Sequence, residues 1–391
     1  MNRKLRMGMV GGGKNAFIGA VHRIAANMDG LIELVCGAFS SDAANARSSG
    51  LSLFLPENRI YLDFKEMMEK ESLLPADQRM DFVVIVTPNH AHFAPAMLAL
   101  EKGFHVVLEK PMTFSLDEAL QLQKKVKETG LLLCLTHTYS GYPMVKQARQ
   151  MVRDGAFGKI RKVYVEYPQG WLSRLSEKDG SKQAEWRTDP KRSGKAGCMG
   201  DIGTHAAHLA EYISGLLIKQ LCADLSIFVE GRALDDDGNV LLRFDNGATG
   251  ILIASQVAAG EENALKIRVY GENGGLEWAQ QEPNTLLVKW LDQPTQVFRA
   301  GQNYLSSYAK HNTRTPGGHP EGYLEAFGNL YRNFAQTLAA RIDGNTPSKE
   351  SLDFPTVEDG VRGMAFVDNV IKSNESLEKW TFFEIEGQGA C

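Results

Sequence analysis

Between residues 5 and 137 the chain keeps alternating a short apolar run with a stretch of helical spacing. The runs are 5–10, 32–39, 81–86, 105–108 and 131–135, and the helical stretches begin near Gly19, Asp42, His90 and Ser115. A helix that follows each strand returns the chain to the same end of the sheet, so strands separated in this way run parallel. Ser115 lies three residues before Glu118, the spacing at which a serine and a glutamate close a helix N-terminus reciprocally. This half is therefore expected to be α/β, a doubly wound parallel sheet.

After about His137 the pattern changes. A helix is expected over 142–153, followed by longer extended segments at 159–166, 240–244, 249–255 and 264–270. The turn signals Asp245-Asn246-Gly247 and Gly271-Glu272-Asn273-Gly274-Gly275 point to antiparallel hairpins. Helical spacing returns at 323–342 and 357–373, while 293–320 is polar, rich in Gly and Pro, and reads as one long loop of the kind that carries function. At 391 residues the chain exceeds a single core, and two domains are expected, 1–137 and 138–391. The second should be α+β, built on a large open, mostly antiparallel sheet.

Composition narrows the functional classes. With 43 Lys and Arg against 47 Asp and Glu the chain carries a formal charge of -4, which leaves no basic surplus for nucleic acid. No stretch approaches the roughly 18–20 continuous apolar residues of a membrane span, and the basic start Arg3-Lys4-Leu5-Arg6 runs into glycines where a signal peptide would continue apolar. Cys36, Cys134, Cys198, Cys222 and Cys391 are scattered and odd in number, so reduced thiols in a cytoplasmic protein are expected, with Cys198 a small filler.

Gly11-Gly12-Gly13 follows the first run and precedes a helix, the setting in which absent side chains let backbone N–H groups approach a pyrophosphate. The spacing is irregular: a regular G-x-G-x-x-G would place its third small residue at Ala16, whereas Gly19 marks the helix start behind an enlarged loop. After the second run the chain reads Phe39-Ser40-Ser41-Asp42, without a carboxylate where a ribose 2′-hydroxyl would be bound. NADP is thereby allowed, with Arg47 as a phosphate partner, and Asp42 is expected to cap the next helix. Thr87-Pro88-Asn89-His90-Ala91-His92 ends the third run, where open α/β sheets bind ligands. His90 and His92 lack a third ligand, and no metal is expected.

Glu109-Lys110-Pro111 follows the fourth run. Proline restricts Lys110 to extended backbone, which gives its side chain a defined direction from the strand end. An ammonium so placed favours a developing alkoxide while a nicotinamide takes hydride from the same carbon. Downstream, Asp201, His205 and His208 recur at intervals of four and three and would share one helix face. Two readings compete: a capping aspartate with packing histidines, or a substrate-binding carboxylate with His205 as proton acceptor. Zinc binding by the trio is a third.

These pieces together resemble the glucose-fructose oxidoreductase / inositol dehydrogenase / rhizopine catabolism family, Gfo/Idh/MocA. The glycine loop with His22, the turn 87–92, Glu109-Lys110-Pro111, and Trp186-Arg187 leading to Gly200-Asp201-Ile202-Gly203-Thr204-His205 carry the likeness along nearly the whole chain. It implies an N-terminal Rossmann domain and a C-terminal domain used for substrate binding and for dimer or tetramer assembly. It implies NAD or NADP as coenzyme and a sugar or cyclic polyol as substrate, with Lys110, Asp201 and His205 catalytic. The expected coenzyme contacts are Gly11, Gly13, Asn15, Ile18, Ser40, Thr87, Asn89, His92, Glu109, Lys110 and Arg187. Tyr139, Trp171, His208 and His319 are the expected substrate contacts, Tyr139 ahead of Trp171 because it follows a strand end. The glycine loop has about three more residues than usual for the family, and His208 stands where many relatives have an aspartate. An NAD-dependent glycosidase and a non-catalytic dinucleotide sensor are the alternatives.

Overall fold

Each apolar run of the first half becomes a strand. β1 (Leu5–Gly11), β2 (Ile32–Ala38), β3 (Phe82–Val86), β4 (His105–Leu108) and β5 (Leu133–Leu135) lie parallel in the order β2-β1-β3-β4-β5. The order reverses between β1 and β3, and such reversals open a crevice at the carboxyl ends of the strands. The intervening helices are α1 (Phe17–Asn27), α2 (Ala43–Ser52), α3 (Phe64–Leu73), α4 (Phe93–Glu101) and α5 (Leu116–Thr129). The computed structural model describes residues 3–14 and 16–385. Sequence spacing anticipates four of these helices and misses α3, which buries only Met67, Met68 and Glu71 and so shows too short an apolar stripe to stand out.

The second stretch runs α6 (Pro143–Arg153), β6 (Lys162–Pro168), α7 (Lys182–Arg187) and α8 (Pro190–Ser193), then a π-turn (Met199–Gly203) that leads into α9 (Thr204–Ser214). There follow β7 (Ile218–Ser226), β8 (Asp237–Phe244), β9 (Thr249–Ser255), β10 (Lys266–Tyr270), β11 (Gly274–Ala279), β12 (Thr285–Trp290), β13 (Gln296–Arg299) and α10 (Ser307–His311). The expected long loop over 293–320 thus contains a strand and a short helix. β13 pairs antiparallel with β12, and Ser306 caps α10 by accepting from the Ala309 N–H. Both elements are too short to impose a period on the sequence. Both glycine-rich turns do close antiparallel hairpins, β8 with β9 and β10 with β11.

The chain ends with α11 (Tyr323–Ile342), α12 (Val357–Glu375) and β14 (Thr381–Phe382). β14 completes a nine-stranded sheet ordered β13-β12-β11-β10-β6-β9-β8-β7-β14, antiparallel at every pairing except β6 with β9. One face is apolar, with Val163, Val165, Leu252, Ala254, Ile267, Val269, Leu276 and Trp278 buried, and α6 and α9 pack against this sheet. Here Gly250 and Gly275 allow close backbone approach, since a Cβ on either would lie within 3.0 Å of a carbonyl oxygen.

Contacts divide the chain into one unit of residues 1–138 with 323–361 and a second of 139–322 with 362–391. The sequence reading gives everything beyond 137 to a single C-terminal domain, whereas 323–361 pack with the first 138 residues. The reason is apolar: α11 brings Phe327, Leu330, Tyr331, Phe334 and Leu338 onto Leu5, Met7, Val21, Phe82 and Val84, and the Phe82 and Phe334 rings meet edge-on at 5.0 Å. A sheet strand shows which side chains need cover, and nothing about how far along the chain the cover comes from. Among the described residues no helix is long and apolar enough to cross a membrane.

Candidate functional site

In the first unit the turn between β1 and α1 is shaped by four glycines with different tasks. Gly11 and Gly12 have φ of 82° and 71°, the left-handed region that glycine enters without cost. A Cβ on Gly13 would stand 2.8 Å from the Phe39 carbonyl oxygen, and one on Gly19 only 2.4 Å from the Gly12 Cα. Gly19 therefore lets the helix lie directly on the loop, the task that regular spacing would give to Ala16. Gly11, Gly13 and Gly19 form a G-x-G-x-x-x-x-x-G pattern, longer than the regular one by three residues. At its N-terminus α1 has no side-chain cap and no acidic residue, while Asp42, Asp63 and Ser115 cap α2, α3 and α5. Backbone N–H groups with the positive end of a helix behind them, reached over a glycine cradle, fit a dinucleotide pyrophosphate. Ile18, in the first turn, packs partly into the core. Asn15 lies outside the described residues.

Beyond β2, Asp42 caps α2 as expected, accepting from the Asn45 N–H at 2.6 Å. The Ser40 hydroxyl accepts from the Asp42 N–H and from Asn45 Nδ2, both at 3.2 Å. Arg47 pairs with Glu57 at 2.8 Å on the exposed surface, which engages the guanidinium considered for a 2′-phosphate. At the end of β3 the Thr87 hydroxyl donates to the Ala91 carbonyl at 3.0 Å, closing the turn that begins the buried Asn89.

Two residues expected at the coenzyme, Glu109 and His92, have their polar atoms bonded within the protein. Glu109 is buried, and its Oε1 accepts from His22 Nε2 at 3.0 Å and from the Thr136 hydroxyl at 2.6 Å, while Oε2 accepts from the Lys110 N–H at 3.1 Å. The other nitrogen of His22, Nδ1, faces the Tyr331 hydroxyl at 2.6 Å. Since a carboxylate only accepts, the hydrogen belongs on Nε2, and Nδ1 receives one from Tyr331. Burial pushes the Glu109 carboxyl up, but His22, the Lys110 charge and Thr136 together outweigh it and hold the group below its usual range. Burial pushes the Tyr331 phenol well up, so it keeps its proton to donate. This chain Tyr331–His22–Glu109–Thr136 holds the strand end that carries Lys110, and the Lys110–Pro111 peptide is cis.

His92 likewise faces inward. Its Nδ1 lies 2.9 Å from the Pro111 carbonyl oxygen and its Nε2 lies 2.7 Å from that of Thr87, so the ring ties the turn after β3 to the turn after β4. Burial keeps this imidazole below its usual range, although both carbonyls favour protonation.

In the second unit the expected helical face is interrupted. Asp201 sits in the π-turn and His205 in α9, so the wider turn takes Asp201 off the regular spacing. Nor does Asp201 stand at a cap position, since Cys198 and Gly203 precede the π-turn and α9; its Oδ2 accepts from Arg187 Nε at 3.2 Å and from Gln256 Nε2 at 2.9 Å. Arg187, expected at the coenzyme, stands 4.2 Å over the Trp186 ring and 5.8 Å from that of Trp171. Trp171 is 38% exposed, and its Nε1 donates to Gln169 Oε1 at 3.0 Å.

His205 is buried with the Tyr139 ring edge-on at 4.9 Å. The Tyr139 hydroxyl, buried as well, bonds to the Tyr167 hydroxyl and accepts from Asn263 Nδ2 at 3.2 Å. Asn263 Oδ1 in turn accepts from Tyr167 at 2.7 Å and from Gln169 Nε2 at 2.6 Å. Tyr139 thus presents its ring to His205 and commits its hydroxyl to a buried triangle. His208 stacks on Tyr212 at 5.6 Å, and His319 is exposed on a loop whose Thr315 hydroxyl donates to its carbonyl. Burial and the nearby Asp235 and Asp201 charges push the Cys198 thiol well up, which suits a filler. Among the described residues no group of three or more His, Cys, Asp or Glu is placed to hold a metal.

Gln256, Asn263, Thr136 and Tyr331 were missed from the sequence. Amides, hydroxyls and a helix tyrosine carry no motif of their own. Their partners lie 55, 124, 27 and 309 residues away in the chain.

The family models described as "Oxidoreductase family, NAD-binding Rossmann fold" and "GFO/IDH/MocA C-terminal domain" match residues 5–137 and 145–277. The oxidoreductase YfiI of Bacillus subtilis is 31% identical over 387 residues, 98% of each chain. A crystal structure of an oxidoreductase from Sinorhizobium meliloti is 44% identical with a TM-score of 0.87, covering 97% of this chain and 100% of that one. An inositol dehydrogenase homolog from Azotobacter vinelandii, solved with NADH and myo-inositol, is 35% identical with a TM-score of 0.89 over 98% of both chains.

Proposed function

Since this chain belongs to the Gfo/Idh/MocA family of NAD-binding oxidoreductases, we propose that it oxidises a secondary hydroxyl of a cyclic polyol or sugar to a ketone, or reduces that ketone. The observation that carries the reading is the paired anchoring of its polar groups. Glu109 fixes the backbone that bears Lys110, and Arg187 and Gln256 fix the carboxylate of Asp201. The likeness to the homolog solved with NADH and myo-inositol supports a polyol substrate.

Gly11, Gly13 and the first turn of α1 would hold the coenzyme pyrophosphate, with Ser40 near the adenosine ribose and Thr87 at the adjoining strand end. When bound, NAD(P) supplies the acceptor or donor of hydride. Lys110 then donates a hydrogen bond to the substrate oxygen as negative charge develops there, in the manner of an oxyanion donor. His205 takes the hydroxyl proton as general base, and Asp201 binds a substrate hydroxyl and sets its orientation. Trp171 offers a partly exposed apolar face to sugar C–H groups. The 1–137 segment with its returning helix binds coenzyme. The nine-stranded sheet unit binds substrate and, through its open face, joins a second copy into a homodimer or homotetramer.

A panel of inositols and sugars, assayed at 340 nm with NAD and NADP separately, tests the chemistry and the coenzyme together. Net reduction of coenzyme is expected, whereas a glycosidase that returns its hydride would show none at completion. Lys110→Met should lower kcat about 10²- to 10³-fold while NADH binding, followed by fluorescence, stays near that of the parent. Undiminished turnover would remove Lys110 from the mechanism, and coenzyme binding without turnover of any panel member would favour a sensor.

A further inference from the structure

We propose that Gln256 is the positioning residue of Asp201, fixing its carboxylate and coupling it to the segment that carries Trp171. The inference rests on the catalytic reading of Asp201 given above. Gln256 lies just past β9 and is 2% exposed. Three elements meet on it. Its backbone N–H donates to the Asp236 carbonyl at 2.8 Å, its carbonyl accepts the Leu172 N–H at 3.1 Å, and its side-chain Nε2 donates to Asp201 Oδ2 at 2.9 Å.

Both backbone bonds persist whatever side chain stands at 256, so the amide N–H₂ has one distinguishable task, the bond to Asp201. That bond falls on the oxygen that also accepts from Arg187 Nε. Two donors arriving on this oxygen from α7 and from the end of β9 constrain the orientation of the carboxylate more than either does alone. The donors differ in kind. Arg187 is held by contacts with Trp186 and Trp171, on a segment that faces solvent in part, while Gln256 is buried just past the end of β9. Gln256 is therefore the fixed half of the clamp. Because Leu172 is bonded to its carbonyl, the residue next to Trp171 shares its anchor with Asp201. A substrate that stacks on Trp171 and hydrogen-bonds to Asp201 would meet the two at a set separation.

Gln256→Glu tests this without changing side-chain size. It replaces the donor by a second carboxyl beside Asp201, in surroundings that already include Arg187, His205, the Tyr139 phenol, the Cys198 thiol and the carboxylates of Asp235, Asp236 and Asp237. The expected result is a fall in kcat of about 10- to 100-fold, the cost of misplacing one catalytic group, with NADH affinity within about 2-fold of the parent. The acid limb of the kcat/KM profile should also move to higher pH, because adjacent carboxyls cannot both ionise freely. Gln256→Leu should lower kcat similarly and raise KM for the polyol, with the acid limb left close to the parent's.

A folded Gln256→Glu enzyme with parental kcat, KM and pH profile would overturn the proposal. So would a loss in which turnover and NADH binding fall together with the profile unshifted, since that marks a merely structural residue. Asp201→Asn separates the two levels of inference. If it keeps full turnover, the catalytic reading of Asp201 fails and takes this proposal with it. If it is inactive while Gln256→Glu is normal, only the role of Gln256 falls.

Discussion

The glycine loop of the first unit and the Asp201 turn of the second illustrate two ways of building a candidate functional surface. At the loop, chemistry depends on side chains being absent: Gly19 lies where a Cβ would come 2.4 Å from the Gly12 Cα, and α1 starts without a side-chain cap. At the turn, the proposed chemistry depends on side chains being tied. Asp201 accepts from Arg187 and Gln256, and the Tyr139 ring against His205 has its hydroxyl locked by Tyr167 and Asn263. A backbone surface tolerates polar changes nearby and no added volume. A tethered surface tolerates small added volume and no lost partner.

The Lys110 strand end is the place to challenge that division, because it lies in the glycine-loop unit yet is tethered by side chains. His22→Leu should have the largest effect on stability. It leaves the buried Glu109 without its side-chain nitrogen donor and Tyr331 without its acceptor, and leaving buried polar groups unsatisfied costs about 1–3 kcal/mol each, more for a charged one. Urea unfolding at pH 7 measures the loss. A cost below about 1 kcal/mol, the size of a surface pair, would mean that the strand end is held by its apolar packing alone.

His105, on β4 of the same unit, gives a somewhat smaller effect with a pH signature. Its Nδ1 accepts the Leu132 N–H at 2.9 Å, so the ring is neutral at that nitrogen, and burial with the Arg341 charge pushes it down to about 4. In the unfolded chain the value is about 6.5. The folded form binds fewer protons between these limits, so stability is full above about pH 6.5 and falls as pH drops towards 4. The most it can lose is about 3 kcal/mol. His105→Gln should flatten the urea stability curve in that window by up to about one proton. An unchanged slope would place the acid sensitivity elsewhere, for instance at His92, which burial also pushes down.

How much was legible follows the same division. Spacing alone yields the five parallel strands, the Ser115 and Asp42 caps, the hairpin turns and the 323–342 helix, because each depends on residues within one element. It also singles out Lys110, Asp201 and His205 as candidates, because their surroundings are short motifs. It does not find what holds them. Gln256 and Asn263 are unremarkable amides until β9 and the loop after it are folded, and Tyr331 reads only as one more apolar position of α11. For the same reason Glu109 and His92 look like coenzyme ligands in the sequence while their polar atoms face the protein. α11 itself is visible as a helix, but its place against Phe82 depends on which sheet face lacks cover.

Gly19→Ala and Gly200→Ala sharpen the comparison directly, for they add one methyl group to each region. In α1 an alanine would ordinarily stabilise by about 1 kcal/mol relative to glycine. At Gly19 the new carbon would meet Gly12 Cα at 2.4 Å and Gly12 O at 2.7 Å, both backbone atoms that move only if the loop moves. Overpacking of that kind costs about 1–3 kcal/mol, so the clash exceeds the propensity gain, leaving a net loss of about 1 kcal/mol and a weaker hold on coenzyme. At Gly200, beside Asp201, the nearest atom is the Ala196 Cβ at 3.6 Å, an ordinary contact. There the methyl has room and stability should stay within about 0.5 kcal/mol of the parent. Thermal unfolding together with NADH titration reads both variants. Equal losses at the two positions would mean that the Asp201 turn is as intolerant of volume as the coenzyme loop, and the division between absent and tied side chains would fail.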